Sequence, residues 1–155
     1  MALATDVLAA ARARGAMIVT AESCTGGMVA AALTDIPGSS DVVDRGFITY
    51  SNAAKIDMLD VRPATLETYG AVSEQVALEM VRGALSHAKA TVAVSVTGIA
   101  GPGGSEHKPE GRVCFACANA QNVTVETIDF GPLGRAKVRA AARDHALKML
   151  LDALA

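Results

Sequence analysis

A chain of 155 residues, 51% of them apolar and 19% charged, with a formal net charge of −2, is long enough to bury roughly two thirds of its unfolded surface in one domain without disulfide or metal staples. The near-neutral balance lacks the basic footprint that nucleic-acid binding leaves, so no nucleic acid is expected as a partner. Three cysteines, an odd number, in a chain without a secretion-type leader argue against a disulfide framework.

Helical and strand patterns alternate with few gaps. The N-terminal "ALATDVLAAARAR" predicts an amphipathic helix over Ala2 to Arg14 with arginines late in it. No long apolar h-region and no membrane-spanning run is present, so a cytoplasmic protein without a membrane partner is expected. A strand over Met17 to Ala21 and a helix over Thr25 to Thr34 follow. After the turn "DIPGSS", "VVDRGFITYS" carries the branched and aromatic residues of a strand, and "NAAKIDMLD" resumes helical spacing. Pro63 suits the first turn of a short helix that Gly70 ends. Ser73 is an N-cap for "EQVALEMVRGALSHAK", whose apolar face contains Val76, Met80, Val81, Ala84 and Leu85.

The strand "TVAVSVTG" then runs into the glycine-rich "GIAGPGGSEHKPEG", which has no periodicity and is too long for a plain connector, so it is read as functional or mobile. "RVCFACANA" and "VTVETIDF" predict a hairpin turning at "QN", and "GRAKVRAAARDHALKMLLDALA" a long C-terminal helix. Such alternation, with no internal repeat or linker, implies one α/β domain over residues 1–155, a three-layer α/β/α sandwich with a mixed, mainly parallel sheet. The strands ending near Val19, Ile48 and Val96 lead into "AESCTGG", "TYSN" and "TGIAGPGG". If the three are parallel, all three turns face the crevice beyond their carboxyl ends, where open α/β sheets bind ligands.

The turn after the first strand collects the most chemistry. Ser23 can be a helix N-cap. It can also be a nucleophile, since Gly26 and Gly27 let a substrate approach and the first-turn N–H groups of Cys24 to Gly27 can hold an oxyanion. No histidine lies in these turns, which leaves Tyr50 and Lys55, about one helical turn apart, as helpers. Cys24 competes as nucleophile, because a thiol at a helix N-terminus has a lowered pKa. Cys114 and Cys117 form C-x-x-C, but on a strand they point to opposite faces. His87, His107 and His145 show no ligand spacing, so no metal and no cofactor is expected. "SHAK" closes a helix where an S-x-x-K nucleophile would open one, and "GPGGSEHK" lacks the P-loop ending, although its N–H groups can form an anion nest.

The motifs "AESCTGG", "PGSSDVVDRGFITYSNAAK", "YGAVSEQVA", "TGIAGPGG", "KPEGRV" and the closing "R-x-x-V-R-x-x-A" together resemble the C-terminal domain of the competence and damage-inducible CinA proteins over nearly the whole chain, in its stand-alone form. The resemblance implies a three-layer α/β/α fold and hydrolysis of the carboxamide of nicotinamide mononucleotide to nicotinate mononucleotide and ammonia. It implies Ser23 as nucleophile with Tyr50 and Lys55 as its helpers, and a homo-oligomer. The residues expected to meet the substrate or the oxyanion are Cys24, Thr25, Gly26, Gly27, Thr49, Gly98, Gly101, Gly103, Arg135 and Arg139, with the "GPGG" nest and the two arginines as candidates for the phosphate. Where the family's loop often reads KPVGTV, this chain has Glu110 and Arg112. The rival readings are a non-catalytic nucleotide-binding module linked to DNA uptake or repair, and hydrolysis moved to Cys24 or to another amide.

Overall fold

Strands of period two need a different partner on each face, and the arrangement of the chain follows from that. In the computed structural model, which describes residues 2–105 and 107–155, β1 (Ile18–Glu22), β2 (Val43–Ile48), β3 (Val92–Gly98), β4 (Arg112–Ala118) and β5 (Val123–Asp129) form one sheet in the order β2-β1-β3-β4-β5. β1 pairs in parallel with both β2 and β3, while the β3–β4 and β4–β5 pairs are antiparallel. Four strands therefore run one way and β4 alone opposes them. Glu106, within the predicted glycine loop, lies outside the described residues.

Successive residues of each strand feed two separate cores. Ile18, Val92, Val94, Val96, Val113, Phe115 and Cys117 pack against α1 (Ala2–Arg14), α2 (Met28–Thr34) and α6 (Arg135–Leu154). Val19, Ala21, Ala93, Cys114, Ala116 and Ala118 pack against α3 (Asn52–Leu59), α4 (Pro63–Tyr69) and α5 (Glu74–Ser86). The result is the three-layer α/β/α sandwich, with Cys114 and Cys117 on opposite faces as expected. Buried hydroxyls on β3 are satisfied by the second helical layer: Ser95 donates to the Ala77 carbonyl at 2.7 Å and Thr97 to the Ala71 carbonyl at 2.8 Å. Gly83 lets α5 approach the end of α3, since a Cβ there would sit 1.8 Å from the Leu59 carbonyl oxygen. No helix is long and apolar enough to cross a membrane among the described residues.

Most predicted elements match to within a few residues. Ser73 caps α5 by accepting from the Val76 N–H at 3.2 Å. The predicted continuation of that helix to Lys89 stops at Ser86, and a 3-10 turn over Ser39–Asp41 replaces part of the expected plain turn. The largest difference is α2, which starts at Met28 instead of Thr25 because Gly26 and Gly27 hold φ values of 58° and 106°, outside the helical region.

Candidate active site

All three turns singled out in the sequence converge beyond the carboxyl ends of the parallel strands β2, β1 and β3. β1 ends at Glu22, and Ser23 is held by its own backbone: its N–H donates to the Val96 carbonyl at 2.9 Å and its carbonyl accepts from the Gly26 N–H at 3.0 Å. Its hydroxyl does not cap α2. Instead Ser23 Oγ lies 3.0 Å from Lys55 Nζ and 3.5 Å from the Tyr50 carbonyl oxygen.

Lys55 reaches this position from the second turn of α3. Ser51 caps that helix, accepting from the Ala54 N–H at 3.0 Å. The start fixed in this way turns Lys55 and Leu59, one turn apart on the same helix face, inward. The lysine is only 1% exposed, a degree of burial that lysine almost never shows unless it is paired. Nζ also donates to the Thr49 carbonyl at 2.9 Å and to the Tyr50 carbonyl at 3.3 Å.

Tyr50, expected as a helper, meets the Ser23–Lys55 pair through its backbone carbonyl. Because its carbonyl turns in toward Lys55, the side chain turns out: it is 60% exposed, and its hydroxyl accepts from Arg135 at 2.8 Å. Thr49, expected at the substrate, is fully buried behind Lys55, with its N–H on the Glu22 carbonyl at 2.8 Å. Its own hydroxyl is buried without a partner.

Cys24 differs from the expectation for a thiol at a helix start. The helix begins further on, the side chain is buried in the core under α2 and α6, and burial pushes the thiol up to about 12. At neutral pH it is therefore a protonated, packed thiol. Burial also raises Cys117, to about 12, and Cys114.

Thr25, Gly26 and Gly27 build the turn more than they face a substrate. Thr25 is buried and donates its hydroxyl to Glu22 at 2.6 Å. The Gly26 N–H is spent on Ser23, and a Cβ on Gly26 or Gly27 would press on Arg139 or Ile48 at 3.2 and 3.1 Å. Arg139, offered above for the phosphate, is likewise engaged, donating to the carbonyls of Cys24 at 3.0 Å and Thr25 at 3.3 Å. A trans peptide sets its N–H opposite its C=O, so holding the Cys24 carbonyl fixes the direction of the Thr25 N–H.

A cleft of about 320 Å³ opens over the Ser23–Lys55 pair, within the range for small-molecule sites. Ser23, Cys24, Tyr50, Asn52 and Lys55 line one side, Ala71, Val72 and Thr97 the back, and Gly98 to Ser105 with Arg135 the mouth. Gly98, Gly101 and Gly103 thus border the cleft as expected. The anion nest is another matter, because the Gly103 N–H donates to the Glu110 carboxylate. A Cβ on Gly101 would also run into that carboxylate. An anion from the same loop already fills the place offered to a phosphate. Arg135, bridging the Gly101 carbonyl at 2.7 Å and the Tyr50 hydroxyl, is the cation at the mouth. Asn52, Val72 and Ser105 were not foreseen; only their nearness to quoted motifs could have suggested them. Among the described residues no group of three His, Cys, Asp or Glu side chains is arranged to hold a metal ion.

Comparison with known proteins gives a consistent picture. The model of a family described as the CinA C-terminal domain matches residues 1–154. The chain is 52% identical over 151 residues to the nicotinamide-nucleotide amidohydrolase PncC of Escherichia coli K12, covering 97% of this chain and 92% of that protein. It is 49% identical over 145 residues to a CinA-like protein of Chlorobium phaeobacteroides, covering 90% of this chain but 34% of that longer one. Among solved structures it is similar to the competence/damage inducible protein CihA from Agrobacterium tumefaciens, with a TM-score of 0.94 at 52% identity over 99% of this chain and 93% of that one. With every strand, both helical layers and the Ser23–Lys55 pair inside the matched span, the chain belongs to the CinA C-terminal domain family.

Proposed function

We propose that this protein hydrolyses the carboxamide of nicotinamide mononucleotide, giving nicotinate mononucleotide and ammonia, with Ser23 as nucleophile and Lys55 as its base. The observation that carries the reading is the 3.0 Å contact between Ser23 Oγ and the buried Lys55 Nζ at the floor of the cleft. The likeness to nicotinamide-nucleotide amidohydrolases supports the substrate.

The surroundings of Nζ suit a base. Carbonyls only accept, so an amine that has lost its proton can keep N–H bonds to Thr49 and Tyr50 while turning its lone pair to Ser23 Oγ, to which the protonated form donates. As Oγ attacks the carboxamide carbon, its proton passes to Nζ. In this scheme the tetrahedral oxyanion is met by the Cys24 N–H, which follows the nucleophile as one oxyanion donor does in α/β-hydrolases. Collapse breaks the C–N bond, and Lys55 returns the proton to the departing ammonia. A water molecule, deprotonated by the same amine, then cleaves the nicotinoyl ester and regenerates Ser23. Every proton in this cycle is carried by protein groups, so activity is expected to persist in EDTA.

The deciding experiment is incubation of the purified protein with nicotinamide mononucleotide in EDTA, followed by assay for ammonia and nicotinate mononucleotide. Folded protein that releases no ammonia would leave the non-catalytic reading in its place, and activity that needs added zinc would contradict the serine–lysine scheme.

Arg135, a cation lining the cleft, is our candidate for binding the substrate's phosphate. A hydrogen bond to a charged group contributes about 1.5–3 kcal/mol. Arg135→Ala is therefore expected to raise KM for the mononucleotide about tenfold or more while changing kcat little, and to leave turnover of the unphosphorylated riboside as it was. Equal losses on both substrates in steady-state kinetics would remove the phosphate role.

A further inference from the structure

Glu22, the last residue of β1, is 1% exposed, although carboxylates are almost never fully buried without partners. Its partners are all local. Oε1 accepts from the Thr25 hydroxyl at 2.6 Å and the Val29 N–H at 2.9 Å, and Oε2 accepts from the Ala30 N–H at 3.0 Å.

Val29 and Ala30 are the second and third residues of α2, whose orphan N–H groups an N-cap side chain would ordinarily satisfy. The N-cap here is Gly27 at φ 106°, a backbone that residues with a Cβ rarely adopt. A conventional cap and the turn that presents Ser23 therefore exclude each other at this position. The carboxylate reaches across the turn and does both jobs. It satisfies the start of α2, and through Thr25 it ties down the segment between. Ser23 thus sits in a loop fixed at one end by the sheet and at the other by α2.

We propose that Glu22 is a positioning residue for the nucleophile: without touching substrate, its carboxylate holds the Ser23–Gly27 turn so that Oγ stays within hydrogen-bond reach of Lys55 Nζ. The inference rests on the reading of Ser23 as nucleophile given above. A glutamine in this place keeps the shape but turns an NH₂ donor toward a converging donor, so one contact must open and the turn must shift.

The test is Glu22→Gln, followed by kcat and KM on nicotinamide mononucleotide and by the rate at which a fluorophosphonate labels Ser23, read by intact mass. A displacement of about 1 Å can cost on the order of 100-fold in rate. The expectation is a kcat lower by about 10- to 100-fold with KM within about threefold, and labelling slowed in proportion. Circular dichroism should still report a folded chain. If folded Glu22→Gln is labelled and turns over at the wild-type rate, Glu22 serves the helix alone and the proposal is overturned. Should that variant fail to fold, Thr25→Val, which deletes one of the three donors, decides in the same way: slowed labelling supports the role, and wild-type labelling overturns it. Labelling does not depend on the natural substrate. Wild-type protein that is labelled at Ser23 but leaves the mononucleotide intact would therefore refute the amidase reading and not this one.

Discussion

Replacing Ser23 with alanine is expected to remove turnover, by about 10⁴-fold or more if it behaves as other serine nucleophiles do, while leaving the fold intact. The change deletes one oxygen atom whose hydrogen-bond partners among the described residues are Lys55 and the Tyr50 carbonyl. The backbone bonds that shape the turn, from Ser23 to Val96 and from Gly26 to Ser23, do not involve it. Cys24→Ala is expected to keep kcat within a few-fold, because a packed thiol pushed up to about 12 supplies no thiolate at neutral pH. The pair of variants separates the two candidate nucleophiles by kinetics. Acid quench during turnover separates them chemically, since a trapped nicotinoyl adduct should lie on Ser23 in the peptide spanning the turn. An adduct on Cys24, or normal turnover by Ser23→Ala, would end the serine mechanism.

Lys55→Met should be nearly as damaging. Methionine replaces the lysine stem at similar size and removes only the amine, so the loss should reflect the missing base, about 10² to 10⁴ in kcat. The Thr49 carbonyl loses its lysine donor at the same time, which is expected to cost about 1–3 kcal/mol of stability, while the Tyr50 carbonyl can still accept from the Ser23 hydroxyl. Thermal unfolding measured beside the kinetics keeps the two effects apart. The double variant Ser23→Ala/Lys55→Met should be no slower than the worse single change, since groups that act as one unit are strongly non-additive. A kcat for folded Lys55→Met within a few-fold of wild type would show that another group takes the proton.

Much of the architecture is legible in the sequence, because it is written in periods. Alternating apolar positions in "TVAVSVTG" and the turn residues around Pro63, Gly70 and Ser73 mark elements whose ends fall close to those observed. The Ser23–Lys55 pair was also reachable, from the resemblance and from the placement of both residues at strand-end turns. What stayed hidden depends on which way a peptide plane faces. Nothing in "TYSN" shows that the Tyr50 carbonyl turns inward to Lys55 and that its phenol goes out to Arg135 at the mouth. The role of Arg139 was hidden for the same reason: its partners are carbonyl oxygens, which every residue carries. Glu22 gave a faint signal, a carboxylate closing an apolar strand, but its three donors come from residues whose positions follow from the left-handed glycines. Glu110 in the anion nest was visible only as a departure from the family's loop, with no indication of where the carboxylate would lie.

The Ser23 N–H donates to the Val96 carbonyl inside the sheet, whereas Pro102 to Ser105 of the cleft mouth are exposed. The two halves of the site therefore belong to regions of different local stability. Amide exchange at Ser23 should require opening of the central strands, close to global unfolding, while the mouth opens at much lower free energy. Mild denaturant should accordingly loosen the grip on substrate before it disturbs the chemistry, raising KM at concentrations where kcat is still that of the native enzyme. Adaptation to a different nucleotide can then proceed by changes at the mouth without risk to the buried dyad.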